Sequence, residues 1–126
     1  ISLNRDELKS IADLAIKHDL WVVSDEVYSD LVFDSEFFHI ASLPGMAERT
    51  ITLGSLSKSF AMTGWRIGWA LGPKQFVDNA AKLALCMLYG LPGFLQQGGI
   101  FALESAQQDM INMREAYRGR RDLLIQ

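Results

Sequence analysis

The sequence predicts an α/β domain whose sheet is mostly parallel, and two observations carry that prediction. Short apolar runs at residues 20–23, 50–53 and 67–71 have the length and composition of buried strands. Longer segments before and after them repeat apolar residues at helical spacing. Alternation of this kind is typical of a layered α/β architecture. A length of 126 residues suits one domain or part of a larger one.

The first helix is predicted to begin after Asn4. Glu7 follows Asn4 at the spacing of a capping box, in which the two residues satisfy each other's backbone amides. Apolar residues then share one helical face: Leu8, Ile11, Ala12 and Ala15. His18 and Asp19 are expected to end this helix, so that one amphipathic helix precedes the first strand.

Acidic residues stand where the first strand is predicted to end. Asp25 and Glu26 follow the apolar run at residues 20–23. Open α/β sheets bind their ligands outside the carboxyl ends of the strands, so this pair lies where a site is expected. Beyond it we expect a short extended piece at residues 31–33. Residues 37–46 are expected to be irregular, with a Pro-Gly turn.

The second strand is predicted to end in Gly54 and Ser55, and a lysine-bearing loop leads from there to the third strand. Pro73 suits a first helical turn, and the helix that follows is expected to reach Leu88. The Gly-Leu-Pro-Gly sequence at residues 90–93 should interrupt it. Two more helices are predicted, at residues 94–104 and from residue 109 to the end.

Composition narrows the classes of function. The net charge is −3, and no basic stretch of the kind that nucleic acid requires is present. The arginines at positions 118, 120 and 121 are interpreted as a solvated helix face. Cys86 is the only cysteine, which excludes an intrachain disulfide and favours an intracellular setting. No apolar stretch reaches membrane-spanning length, so no membrane partner is expected.

Both ends of the sequence have the character of interior chain. The start has no initiator methionine and no signal-like core. The end falls inside an apolar helical pattern at residues 123–126. We therefore expect the chain to be cut from a longer one at both ends.

Lys58 is the strongest candidate for chemistry. It stands in a loop of small residues after the second strand, whereas the other four lysines lie on amphipathic helices. An amine in such a loop can be partly desolvated and near a cation, and both effects lower the pKa of a lysine. It could then hold an aldehyde as an imine or move a proton. The alternative is an ordinary solvated loop lysine.

Three motifs surround or include this lysine. They are Ser-Asp-Glu-Val-Tyr at residues 24–28, Ser-Leu-Ser-Lys at residues 55–58 and Thr-Gly-Trp-Arg-Ile-Gly at residues 63–68. Together they resemble the class I/II aminotransferases, which are fold-type-I enzymes that use pyridoxal phosphate, and the resemblance runs along essentially the whole chain. It implies that the cofactor is pyridoxal phosphate. It also implies that Lys58 is the catalytic residue, which binds the cofactor's aldehyde and later acts as general base.

The resemblance assigns two residues to the cofactor ring. Asp25 is expected to face the ring nitrogen, because a nearby anion favours the protonated, electron-withdrawing pyridinium. A helix N-cap is the alternative role for Asp25. Tyr28 is expected to donate a hydrogen bond to the ring's 3-oxygen. Its alternative is a half-buried tyrosine with an ordinary partner.

A phosphate cradle is the remaining requirement. Arg66 offers a rigid fork of donors to phosphate, and Ser55 and Ser57 supply hydroxyl groups. Gly64 and Gly68 would let the backbone bend close by. The alternatives are a surface ion pair for Arg66 and a plain turn for the serines.

Other side chains are weaker candidates. Trp65 and Trp69 are interpreted as core packing rather than substrate contacts. Tyr89 lies in a loop that in relatives is near the dimer interface and the neighbouring active site, and it is the weak candidate for a substrate contact. His39 has no partner at a metal-ligand spacing, so no metal site is predicted. Cys86 falls in an apolar helix and is interpreted as an inert small hydrophobe.

The resemblance also implies a place in a larger molecule. Residues 1–126 would be a central fragment of the large cofactor-binding domain, with residues 109–126 forming a connecting helix toward a small domain. The whole protein would be a cytoplasmic homodimer that moves an amino group between an amino acid and a 2-oxo acid. The chain lacks the family's upstream asparagine and aromatic motifs and its downstream carboxylate-binding arginine. We therefore expect the chain to be inactive alone.

Two other functions use the same fold. A pyridoxal-phosphate lyase that cleaves C–S bonds would need the same Lys58, Asp25 and Arg66, and a regulatory domain of this fold would be non-enzymatic. Within the family, residues 42–50 and 84–90 resemble the bacterial arginine–pyruvate transaminases. The sequence leaves the substrate amino acid open.

Overall fold

The computed structural model describes residues 2–125 and has the α/β class that the sequence predicts. The strands are β1 (Val22–Asp25), β2 (Thr50–Ser55) and β3 (Gly68–Leu71). The helices are α1 (Arg5–Lys17), α2 (Leu56–Ser59), α3 (Lys74–Leu88), α4 (Gly93–Ser105) and α5 (Gln107–Ile125). Short 3-10 turns lie at Ser29–Leu31, Ile40–Ser42 and Thr63–Trp65.

The described strands form a mixed sheet in the order β1-β2-β3. β1 and β2 run parallel with Asp25 opposite Leu53, whereas β2 and β3 run antiparallel with Ser55 opposite Gly68. The connection from β2 to β3 holds one short helix and a 3-10 turn in place of a full crossover helix, so β3 returns in the opposite direction. Parallel pairing is thus confirmed for β1 and β2 alone.

Helix α1 begins as the sequence predicts. The Asn4 side chain accepts hydrogen bonds from the amides of Asp6 and Glu7, each at 3.0 Å, and the Glu7 carboxylate accepts one from the Asn4 amide at 2.7 Å. This is a complete capping box, which satisfies amides that a helix start leaves without partners. The helix ends at Lys17 with His18 as its cap.

The core of the amino-terminal region lies under α1. Its buried members are Leu8, Ala12, Ala15, Ile40 and Met46, with Val22, Phe38 and Leu43 packed against them. The predicted irregular segment thus supplies Ile40, from its 3-10 turn, and Met46 to this core. Ile11, which was predicted on the same helical face, is instead exposed.

The start of β1 and the segment at residues 31–33 differ from the prediction. β1 begins at Val22 because Asp19 adopts a left-handed conformation (φ 49°) and the Leu20 amide still donates to Ala15 at 2.8 Å. Leu20 is therefore part of the helix cap, and pairing starts when the Val22 amide donates to Arg49 at 2.9 Å. The predicted extended piece at residues 31–33 is confirmed only at Val32, which has an extended backbone, whereas Leu31 closes a 3-10 turn.

The carboxyl-terminal helices follow the predicted order. Pro73 caps α3, Tyr89 ends it in a left-handed conformation, and α4 begins directly after Pro92. α5 starts at Gln107, slightly before the predicted position. No residue of α3 is buried within the described chain, and Cys86 is exposed. The buried third strand predicted for residues 67–71 is likewise uncovered, because β3 lies at the edge of the described sheet.

Across residues 2–125, no helix combines the length and the apolar character needed to cross a bilayer.

Candidate active site

The carboxyl ends of β1 and β2 bring the predicted acid and lysine to one edge of the sheet. Asp25 is the last residue of β1, and β2 ends at Ser55 and runs directly into α2, which carries Lys58. Because β1 and β2 are parallel neighbours, these two ends point the same way. Residues that are distant in sequence thus meet where ligands of α/β sheets bind.

The single-turn helix α2 fixes the direction of Lys58. Its cap is Ser55, whose hydroxyl accepts a hydrogen bond from the Ser57 amide at 3.0 Å and donates one to the Ile67 carbonyl at 3.0 Å. Leu56 is fully buried and anchors the same turn from below. Lys58 consequently projects outward, and within residues 2–125 no hydrogen bond or ion pair engages its amine.

Tyr28 lies between Lys58 and Asp25. The Lys58 amine is 5.8 Å from the centroid of the Tyr28 ring, which is within the range of a cation–π contact. Both side chains line a groove of about 770 Å³ together with Ser57. Tyr28 also lines an adjoining cavity of about 360 Å³ that contains Asp25. The structure therefore places all four of these residues around neighbouring cavities that share Tyr28.

Arg66 is less closely joined to this group. Its guanidinium donates to the Thr63 carbonyl at 3.0 Å, and it does not line the groove that holds Lys58. Its backbone is left-handed (φ 54°), as is that of Ala61 (φ 53°). Non-glycine residues adopt this conformation at a cost of roughly 1–3 kcal/mol each, and such residues concentrate at functional sites. The loop after Lys58 therefore has a constrained, left-handed backbone at Ala61 and at Arg66.

The two tryptophans pack against glycines. A methyl group on Gly98 would lie 2.2 Å from the Trp65 ring, and one on Gly54 would lie 2.3 Å from the Trp69 ring. These contacts agree with the prediction of a packing role, although both indoles keep a solvent-exposed edge. Gly68 also meets the predicted need for a glycine, since a methyl group there would lie 2.9 Å from the Gly54 carbonyl oxygen, whereas Gly64 has open space around it.

The remaining weak candidates lie away from the groove. Tyr89 is 89% exposed and does not line it, so a substrate contact by Tyr89 stays a prediction. Within the part of the chain that the structure describes, no cluster of three or more histidine, cysteine, aspartate or glutamate side chains could hold a metal.

Sequence reasoning missed a polar cluster around the buried Glu26, which follows Asp25. The Glu26 side chain is only 5% exposed, and its carboxylate lies 2.5 Å from Nδ1 of His39 and accepts a hydrogen bond from Ser24 at 2.9 Å. The signal was present, because alternation along a strand turns Glu26 to the side opposite Asp25. No spacing rule pairs it with His39, which lies far along an irregular segment.

The arginines on α5 are partly exposed, as predicted, but Arg118 and Arg121 also have partners that the sequence did not reveal. Arg118 donates to the Phe33 carbonyl, and Arg121 pairs with Asp34 while its guanidinium carbon lies 5.0 Å from the Phe33 ring. The hydrogen bond from Arg121 lowers the pKa of the Asp34 carboxyl, and the same bond raises the pKa of Arg121. These contacts hold the end of α5 beside the groove, which Tyr117 and Arg120 also line.

Comparison with known proteins identifies the family to which the chain is similar. The family model described as aminotransferase class I and II matches residues 1–126. The chain is 56% identical to the arginine–pyruvate transaminase AruH of Pseudomonas aeruginosa, over 99% of the chain and 32% of that protein. It is 40% identical to the putative aminotransferase YugH of Bacillus subtilis, over 98% of the chain and 32% of that protein.

Solved structures agree. The N-succinyldiaminopimelate aminotransferase of Mycobacterium tuberculosis superposes with a TM-score of 0.92 at 38% identity, covering 98% of this chain and 32% of that one. The chain thus spans about a third of the length of the relatives that it matches. With a family match over its whole length and this likeness in structure, the chain belongs to the class I and II aminotransferases.

Proposed function

We propose that this chain is the central part of the large domain of a pyridoxal-phosphate-dependent aminotransferase. The observation that carries the proposal is the position of Lys58 on the carboxyl edge of the sheet, with the Tyr28 ring 5.8 Å from its amine. Asp25 ends the neighbouring parallel strand on the same edge. In this proposal residues 109–126 belong to the helix that leads toward a smaller domain.

The residues present fit the cofactor. Lys58 is exposed at a groove of about 770 Å³, so an aldehyde can reach its amine. Asp25 is exposed at the adjoining cavity, where its carboxylate can pair with a protonated ring nitrogen. The Tyr28 hydroxyl can donate to the ring's 3-oxygen. When bound, the cofactor supplies an electron sink, and the protein supplies orientation and electrostatics.

The phosphate would be held by the loop on both sides of Lys58. Arg66 uses one nitrogen on the Thr63 carbonyl, and a guanidinium has further N–H donors for an anion. Ser57 contributes its hydroxyl beside Lys58. Ser55 contributes as the cap that shapes α2, and its hydroxyl would reach the phosphate only by leaving the Ile67 carbonyl. We therefore assign Ser57 and Arg66 to the phosphate. Ser55 is assigned both to the cap of α2 and to the phosphate.

Lys58 is the residue that moves the proton in this proposal. The Nζ atom accepts a proton from the α-carbon of the amino-acid substrate and returns one when the amino group is transferred. The Tyr28 ring over the amine and the buried Leu56 beneath α2 hold Nζ in position for this step. The reaction exchanges an amino group between an amino acid and a 2-oxo acid.

The substrate and the assembly belong to the longer protein. The 56% identity to an arginine–pyruvate transaminase supports arginine as the amino donor to be tried first. The named relatives are transaminases, which favours transamination over C–S cleavage by the same groups. We propose a homodimer, as the family resemblance implies, and a cytoplasmic setting, which the single cysteine favours.

Borohydride reduction of the cofactor-loaded full-length protein tests the assignment. The peptide that contains Lys58 should carry the pyridoxyl label, and Lys58→Ala should abolish both the label and amino transfer. Lys74→Ala is the matched control, because Lys74 is paired with Asp78 at 2.7 Å on α3, and it should leave the label unchanged. A label on any other peptide would refute the role of Lys58.

Arginine, aspartate and an aromatic amino acid should then be compared as donors with pyruvate as acceptor. Transfer from arginine supports the narrower proposal. Transfer from aspartate or the aromatic amino acid alone would contradict it while leaving the aminotransferase assignment intact.

A further inference from the structure

Glu26 is a buried acid that the proposed chemistry does not use. Its carboxylate would be costly to bury without partners, and both of its oxygens have one. One oxygen accepts from the Ser24 hydroxyl at 2.9 Å, and the other lies 2.5 Å from Nδ1 of His39. The side chain is therefore fixed on two sides.

The backbone of Glu26 is fixed as well. Its amide donates to the Leu53 carbonyl at 2.9 Å, which continues the pairing of β1 with β2 one residue beyond Asp25. Its carbonyl accepts from the Ser29 amide at 2.9 Å and closes a turn that contains Tyr28. Glu26 thus stands between the two residues assigned to the cofactor ring, and every polar group that it has is bonded.

We infer that Glu26, held by His39 and Ser24, is the positioning residue that sets the directions of Asp25 and Tyr28 toward Lys58. This inference rests on the proposed function. His39 connects the site to the core, because Ile40, the next residue, is buried with Met46 under α1. The His39 ring is also braced by the Phe37 ring, with centroids 5.1 Å apart. The cluster around Glu26 therefore links the α1 core to the turn that carries Tyr28.

The test uses the full-length protein loaded with pyridoxal phosphate. Two readouts are followed: the dissociation constant of the cofactor, and the visible circular dichroism of the bound cofactor, which reports the orientation of its ring. Glu26→Ala should weaken cofactor binding by about tenfold or more, since it removes the centre of a buried hydrogen-bond cluster. It should also change the dichroism. His39→Ala should act in the same direction and less strongly, because the His39 side chain is largely exposed.

Two further variants separate positioning from stability. Glu26→Gln keeps the shape and can bond both Ser24 and His39, so it should restore binding to within about threefold of the wild type. Tyr28→Phe should cost less in a Glu26→Ala background than alone, because the turn is then no longer held. Met46→Ala is the matched control: it should lower the melting temperature and leave the dichroism unchanged, since it removes core packing and leaves the hydrogen bonds of Glu26 in place.

The outcomes are distinct. If Glu26→Ala or His39→Ala lowers the melting temperature like Met46→Ala but leaves cofactor affinity and dichroism unchanged, Glu26 is merely structural and the inference is overturned. Additive effects of Glu26→Ala and Tyr28→Phe would overturn it too. If Glu26→Ala does not fold, His39→Ala and Glu26→Gln decide in the same way. A wild-type protein that takes no cofactor on Lys58 would instead refute the proposed function, and the inference with it.

Discussion

The two ends of this chain bury their apolar side chains to very different extents. In the amino-terminal region, α1 and the segment at residues 38–46 enclose a core that includes Leu8, Ile40 and Met46. In the carboxyl-terminal region, α3 has no buried residue, and Leu83 and Met87 are 63% and 75% exposed. The amino-terminal region encloses a core although Trp21 and Val23 stay exposed, whereas α3 buries none of its residues.

The difference shows which part of the fold buries apolar side chains with its own residues. A contiguous apolar surface of this kind is typical of a face that other protein covers. The chain spans about a third of the length of its relatives, so we expect α3 to be covered in the longer protein proposed above. The candidate site lies between the two regions, since β1 and α2 belong to the packed part and α5 closes the groove from the other side.

The largest expected effect contrasts one residue from each region. Met46→Ala should lower the free energy of unfolding by about 2–5 kcal/mol, because it leaves a cavity in a closed core. Leu83→Ala should change it by less than about 0.5 kcal/mol in the 126-residue chain, since an exposed side chain loses little on truncation. Urea unfolding followed by circular dichroism measures both.

The same two variants, Met46→Ala and Leu83→Ala, should also be compared in the full-length protein. There Leu83→Ala should become more costly, because α3 is expected to be covered. Equal costs for the two variants in the 126-residue chain would show that α3 is already packed and would break the comparison.

A smaller effect is expected where α4 does pack closely. Gly98→Ala should destabilise the protein by about 1–3 kcal/mol, because the added methyl would lie 2.2 Å from the Trp65 ring. Gly93→Ala in the same helix meets nothing within 4 Å and is the matched control. Thermal unfolding of the two variants gives the difference. If neither variant lowers the melting temperature, the Trp65 ring moves aside and α4 packs as loosely as α3.

The smallest effect concerns the tie between α5 and the loop at Asp34. The folded pKa of Asp34 lies below its ordinary value of 3.8, because the Arg121 side chain donates a hydrogen bond to its carboxylate. The stabilisation from this pair is therefore complete above pH 3.8 and is lost as the pH falls through the folded pKa. Asp34→Asn should lower the melting temperature slightly at neutral pH and not in stronger acid. An equal effect at both values would rule out the ion pair as its cause.

Much of the fold follows from local patterns in the sequence. The capping box of Asn4 and Glu7 and the proline starts of α3 and α4 are fixed by neighbours along the chain. The parallel pairing of β1 with β2 joins distant segments and follows from the alternation of strands and helices. The sequence could not reveal that Leu20 stays in a helix cap or that β3 lies uncovered. The first depends on a left-handed Asp19, and the second on a face of β3 that no described residue covers.

The candidate site was predictable to a similar degree. Motif spacing picked out Asp25, Tyr28, Ser57 and Lys58, which the structure places around neighbouring cavities. It could not show that the Ser55 hydroxyl is bonded to Ile67, nor that His39 meets Glu26, because both contacts join segments through space.

The left-handed backbones of Ala61 and Arg66 have a consequence for engineering. Glycine is the residue that adopts this conformation most readily, so each position is a place where the chain could be relaxed. Replacing Arg66 would remove the guanidinium assigned to the phosphate, whereas Ala61 contributes only a methyl group to the groove. Ala61→Gly would therefore relax the backbone of this loop and leave every proposed cofactor contact in place.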